Sequence, residues 1–229
     1  MPSSPPLTIQ ERVIAIRDTL PPSVRLIAVS KYMPADLIRQ AYTAGVRDFG
    51  ESRVQEAVHK MTELKDLQDI TWHLIGHLQS NKAKLAIQHF DWIHSVDSLP
   101  LAQRLERLVL SSSHQSSPQL CLQVKILPDP TKFGWSIADL KTDLSALQAC
   151  SSLQWRGLMT ILPRGLTEKK ALDTFQKTRQ LASDLTQEAQ GLGTLSELSM
   201  GMSNDYPLAV QSGATMIRLG QCIFGDRPK

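Results

Sequence analysis

The chain has 229 residues, 41% of them hydrophobic and 21% charged, which is ordinary globular usage and excludes a disordered chain. Its formal charge, 25 − 22 = +3, is small and scattered. With no Lys/Arg block and no basic stripe interleaved with aromatics, nucleic acid is not expected as a partner.

The opening Met1-Pro2-Ser3-Ser4-Pro5-Pro6 lacks the basic and apolar regions of a secretory signal. A first helix is expected over Thr8 to Leu20, stopped by Pro21-Pro22. Short β-branched runs then alternate with stretches of helical periodicity. Strands are expected at Leu26 to Ser30, Val46 to Phe49, Thr71 to Ile75, Trp92 to Val96, Leu120 to Ile126, Trp155 to Ile161, Glu197 to Met200 and Thr215 to Leu219. Helices are expected at Pro34 to Ala44, Arg53 to Leu64, Leu99 to Leu110, Ile137 to Gln148 and Glu168 to Ala189. Ser111 to Pro118 reads as a surface loop rather than a linker, so residues 1–229 are taken as one domain. No apolar run approaches the roughly 20 residues of a membrane helix. Cys121, Cys150 and Cys222 are far apart, without a CxxC pair, so neither zinc nor a disulfide framework is expected and the thiols suit a cytoplasmic protein.

Eight strands alternating with helices predict an α/β fold, a (β/α)8 TIM-type barrel with an extra N-terminal helix; an open doubly wound sheet is the competing architecture. Active sites of such barrels lie where the strands end, so the strand ends carry the candidates. Lys31 closes the first strand. A desolvated lysine amine forms Schiff bases with carbonyls, but position alone favours a lysine reaching solvent. The segment Ser199-Met200-Gly201-Met202-Ser203 follows strand seven, and Gly220-Gln221 follows strand eight. A plain capped turn is one reading of the first segment. The matching glycine after strand eight favours a phosphate site. Arg218 lies inside an apolar strand and must find a polar partner. It points inward to the barrel mouth, or outward to a carboxylate on the helices. His73 and His77 lie four apart, which in a strand is not a metal pair, and each reads as a structural histidine. No cysteine has an acid–base partner nearby in sequence.

These residues sit in longer blocks: VSK (Val29 to Lys31), FGESRVQEA (Phe49 to Ala57), WHLIGHLQSNK (Trp72 to Lys82), RGLMTI (Arg156 to Ile161), LSMGMSNDY (Leu198 to Tyr206) and IRLGQCIFG (Ile217 to Gly225). Together, and in this order, they resemble the YggS/PROSC family of pyridoxal phosphate homeostasis proteins over nearly the whole chain. The resemblance implies a barrel similar to the N-terminal domain of alanine racemase. It implies pyridoxal 5′-phosphate held as an imine on Lys31, Arg218 facing the pyridine nitrogen, and phosphate contacts from Ser199, Met200, Gly201, Gly220 and Gln221. Ser52 and His73 are pocket candidates. Many relatives read asparagine where this chain has Ser52, so a ring contact from that position is in doubt.

The implied role is in vitamin B6 and in amino-acid and keto-acid balance, without turnover. Pyridoxal phosphate is the expected partner, with PLP-dependent apoenzymes as acceptors. A monomer is the default. A small racemase is the alternative. Two-base racemisation needs groups on opposite faces, and none of Tyr32, Tyr42 and Tyr206 can be placed opposite Lys31. The chain also stops nine residues after Gly220, which leaves no room for the β-rich second domain of alanine racemases. A third reading drops the cofactor and makes the chain a Schiff-base aldolase, with Glu51 as proton shuttle beside Lys31.

Overall fold

The computed structural model describes residues 7–112 and 117–226. The N-terminal hexapeptide and the middle of the serine-rich loop, on which two of the expectations above rest, lie outside the described residues. Nine strands are present among them: β1 (Arg25–Val29), β2 (Asp48–Glu51), β3 (Thr71–Leu74), β4 (Trp92–Val96), β5 (Gln119–Lys125), β6 (Trp135–Ser136), β7 (Gln154–Met159), β8 (Glu197–Ser199) and β9 (Met216–Leu219). Eight of them form a closed parallel barrel. The order runs β1, β2, β3, β4, β5, β7, β8, β9, and β9 returns to β1 with Arg218 opposite Ile27. β6 is a short extra strand on the end of β5, with Trp135 opposite Val124.

The helices are α1 (Ile9–Asp18), α2 (Ala35–Thr43), α3 (Val54–Glu63), α4 (Ala83–His89), α5 (Leu99–Leu110), α6 (Ile137–Gln148), α7 (Glu168–Glu188), α8 (Tyr206–Gln211) and α9 (Gln221–Phe224). α1 begins with a capping box, in which Thr8 Oγ1 accepts from the Glu11 N–H and Glu11 accepts from the Thr8 N–H. It packs between α2 and the very short α9. Arg17 donates to the carbonyl of Gly45, at 2.7 Å, and Arg12 to that of Ile223, at 3.3 Å. Among the described residues no helix is long and apolar enough to cross a membrane.

The alternation of each strand sorts its side chains into two layers. Outward residues such as Ala28, Phe49, Leu74, Ile93, Leu122 and Ile217 pack under the helices in one large cluster. Ile27, Trp92, Cys121, Met159 and Met216 fill the lower barrel interior as a separate apolar plug. The barrel is therefore a packed core below, and its cleft lies above.

Candidate functional site

At the C-terminal ends of the strands lies a cleft of about 950 Å³. Val29 at the end of β1 and Lys31 in the turn after it line the cleft, with Arg218, Gly220 and Gln221 from the end of β9 and Ser52 from the turn after β2. Met202, Ser203, Asn204 and Asp205 line the side that opens α8. Lys132 and Arg164, in the loops after β5 and β7, add positive charge at the mouth, which favours an anionic ligand. A smaller hollow of about 380 Å³ adjoins it, again lined by Lys31, Gly220 and Gln221. In register, Arg218 is level with Ile27, and Lys31 lies four residues further along the chain, just past the end of β1. An amine near the rim thus stands above a guanidinium in the floor.

Arg218 faces the barrel interior and is 4% exposed. Its Nη1 donates to Ser199 Oγ at 2.7 Å and its Nη2 to the carbonyl of Thr160 at 2.9 Å. Burial pulls its pKa down to about 10, opposed by the charge of Asp205, so it stays cationic at neutral pH. Behind it runs a polar chain. Ser199 Oγ is 2.7 Å from His94 Nδ1, His94 Nε2 is 2.9 Å from His73 Nδ1, and His73 Nε2 is 2.9 Å from Asp48 Oδ1. The Asp48 carboxylate can only accept, so His73 Nε2–H donates to it. With both imidazoles neutral, His73 Nδ1 then accepts from His94 Nε2–H, and His94 Nδ1 accepts from Ser199 Oγ, which itself accepts from Arg218. Burial agrees, holding His94 well below its usual pKa and His73 below its own despite the Asp48 carboxylate.

The structure brings Lys31, Ser52, Arg218, Gly220 and Gln221 together on the cleft. It does not bring Ser199, Met200, Gly201 or His73 to the cleft wall. β8 ends on Ser199, an inward position, so that hydroxyl is taken by His94 and Arg218. The Met200 N–H donates to the carbonyl of Met216, and the Gly201 carbonyl accepts from the Arg218 N–H. Gly201 has φ +92°, and a Cβ there would lie 2.6 Å from that of Ala209. It turns the chain so that the next residues, Met202 to Asp205, form the wall. His73 lies below, stacked on Trp92 with ring centroids 6.0 Å apart.

Glu51, the shuttle of the aldolase reading, faces outward under α3. Its Oε1 accepts from Ser30 Oγ at 2.7 Å and from Lys60 Nζ at 2.8 Å, away from the cleft. Gly50, not Glu51, is the inward residue of that pair, so no carboxylate of β2 reaches Lys31 from inside the barrel top. His77 does line the cleft. Its Nδ1 is 2.7 Å from Asp97 Oδ2, and its ring stacks on Phe133 at 3.7 Å. Cys121 is sealed in the plug, where burial pushes its thiol pKa up. Among the described residues no group of three or more His, Cys, Asp or Glu is placed to hold a metal ion.

The family model described as alanine racemase, N-terminal domain, matches residues 7–228. A pyridoxal phosphate homeostasis protein of Synechocystis sp. is 50% identical over 209 residues, which cover 91% of this chain and 94% of that one. The chain belongs to the YggS/PROSC family of pyridoxal phosphate homeostasis proteins. An Escherichia coli member with the same name is 37% identical over 211 residues, or 90% of this chain and 87% of its own. Among solved structures, PipY of Synechococcus elongatus with PLP bound superposes with a TM-score of 0.90 and 56% identity, covering 95% of this chain and all of that one. An alanine racemase of Clostridium difficile shares the fold, with a TM-score of 0.74 at 13% identity over 97% of this chain and 60% of its own. The family's resemblance blocks thus coincide with the elements that build the cleft, since VSK, GES, SMGMSND and RLGQ are all at strand ends around it.

Proposed function

We propose that this protein binds pyridoxal 5′-phosphate on Lys31 and serves its homeostasis by holding it in exchangeable form, without turning over a substrate. The observation that carries this reading is the pairing of Lys31 and Arg218 on one cleft. The donor set suits the ligand. The Lys31 amine adds to an aldehyde carbon and one water leaves, so a C=N bond forms with no oxidant or reductant. Arg218, fixed by Ser199 and Thr160, offers only N–H donors to a ring nitrogen. The turns at Ser203-Asn204 and Gly220-Gln221, together with Lys132 and Arg164, suit a phosphate. The names of the relatives and the PLP-bound PipY structure support the same ligand.

Bound pyridoxal phosphate supplies an aldehyde that exchanges among amines. A ring nitrogen that accepts from a permanent cation stays unprotonated, so the electron sink is weak and carbanion chemistry is muted. This favours a carrier over a racemase. The three scattered free thiols fit a cytoplasmic setting. Holo-protein is expected to show a visible imine absorption band that Lys31→Ala abolishes, and to racemise or transaminate amino acids far below about 1 s⁻¹. A band that survives Lys31→Ala would overturn the ligand assignment, and turnover at cofactor-enzyme rates would overturn the carrier role.

A further inference from the structure

Lys31 sits in a four-residue turn closed by the Met33 N–H on the Ser30 carbonyl, at 2.9 Å. The third position of that turn is Tyr32, with φ +64°, and among the described residues no other non-glycine residue has a positive φ. Turns of this shape ask for glycine or asparagine there, because a Cβ is strained in the left-handed region. Something other than the residue's own preference must hold it.

The bonds on either side of Lys31 supply that hold. After it, the Tyr32 N–H donates to Glu56 Oε1 at 2.7 Å. Before it, Ser30 Oγ donates to Glu51 Oε1 at 2.7 Å, and the Ser30 carbonyl accepts from Lys60 Nζ at 2.8 Å. The Lys60 ammonium joins the two halves, since it also bonds Glu51 Oε1 and Glu56 Oε1, each at 2.8 Å, and so spends all three donors. Lys60 is 6% exposed and Glu51 fully buried. Glu51 Oε2 has no partner, so its bonding is gathered on the oxygen that faces Ser30 and Lys60. Burial works to raise the Glu56 pKa, but the bonds from Lys60 and the Tyr32 N–H outweigh it and the carboxylate is held below its usual range. No atom of this cluster needs to touch a ligand.

We propose that Lys60, Glu51 and Glu56 are positioning residues for Lys31, a buried clamp in which Glu56 sustains the left-handed turn at Tyr32 that sets the lysine's direction into the cleft. The proposal rests on Lys31 being the pyridoxal phosphate anchor. A clamp of this kind predicts a specific rescue. Glycine adopts positive φ unaided, so it should make Glu56 dispensable for the turn.

The test loads wild type, Glu56→Ala, Tyr32→Gly and the double variant with pyridoxal phosphate. It measures release into a scavenging hydroxylamine and the visible circular dichroism of the bound chromophore, which reports how firmly the lysine fixes its orientation. Glu56→Ala is expected to release about tenfold faster, equivalent to ~1.4 kcal/mol, with a weaker dichroic band. Tyr32→Gly alone should resemble wild type, and the double variant should return towards it. A general loss of stability would not be reset in this way. Glu56→Gln keeps an oxygen for Tyr32 but loses the charge on Lys60, so it should fall between and again be reset by Tyr32→Gly. It carries the test if Glu56→Ala does not fold. Wild-type release and dichroism in the Glu56 variants, or a double variant as fast as Glu56→Ala, would overturn the clamp alone. A borohydride-fixed label on a lysine other than Lys31 in the wild type would overturn both readings.

Discussion

His73 and His94 are the residues whose chemistry is most changed by the fold. Their ordinary pKa is about 6.5, and burial lowers both, with Asp48 opposing it for His73. The sign follows from proton counts. Below about pH 6.5 the unfolded chain binds protons on both imidazoles, while the folded chain binds them only at lower pH, so stability is lost as pH falls through that window. The loss approaches about 1.4 kcal/mol per pH unit for each histidine charged only when unfolded. Urea midpoints should therefore drop between about pH 7.5 and about pH 5.5, and His94→Gln should flatten the dependence. Glu51 and Asp205, raised by burial, remain in that variant and cannot account for the difference. A midpoint independent of pH in the wild type would contradict the neutral chain drawn from Arg218 to Asp48.

At the scale of elements, the turn from β8 to α8 is the part of the site most exposed to a single substitution. Gly201→Ala combines a strained φ of +92° with a Cβ 2.6 Å from Ala209. It should cost at least about 2 kcal/mol and lower Tm by roughly 4–8 °C, read by thermal unfolding. An unchanged Tm would contradict the close packing of β8 under α8. The same turn shows what was legible in the sequence. The block LSMGMSNDY does lie at the end of β8, but alternation along β8 decides which residues face the cleft, and a three-residue strand leaves that parity open by one step. Ser199 therefore turned inward and Met202 to Asp205 took the wall. Arg218 shows the reverse: its place two residues before Gly220 suffices to set it facing inward once Gly220 lines the cleft. The expected strands agree with those observed to within two residues at each end. α4, α9 and β6 went unanticipated because helices of seven and four residues without a capping side chain, and two residues on a strand edge, leave no periodic signal. Lys60 had one: a lysine beside Ala57 and Met61 on the apolar side of α3. Its partners, however, come from β2 and the turn after β1, which no local pattern joins.

The whole molecule places two kinds of interior in series along one axis. The apolar plug of Ile27, Trp92, Cys121, Met159 and Met216 closes the bottom. The chain Asp48–His73–His94–Ser199 crosses the middle and ends on Arg218, and the cleft with Lys31 lies above. The amine proposed to form the imine and the cation proposed to face the ring nitrogen thereby follow from β1 and β9, which pair directly. If Lys31 is the anchor, borohydride reduction of the holo-protein followed by peptide mapping should find a single pyridoxyl group on the peptide containing Val29-Ser30-Lys31, absent in Lys31→Ala. A label on any other lysine, or none at all, would contradict that assignment.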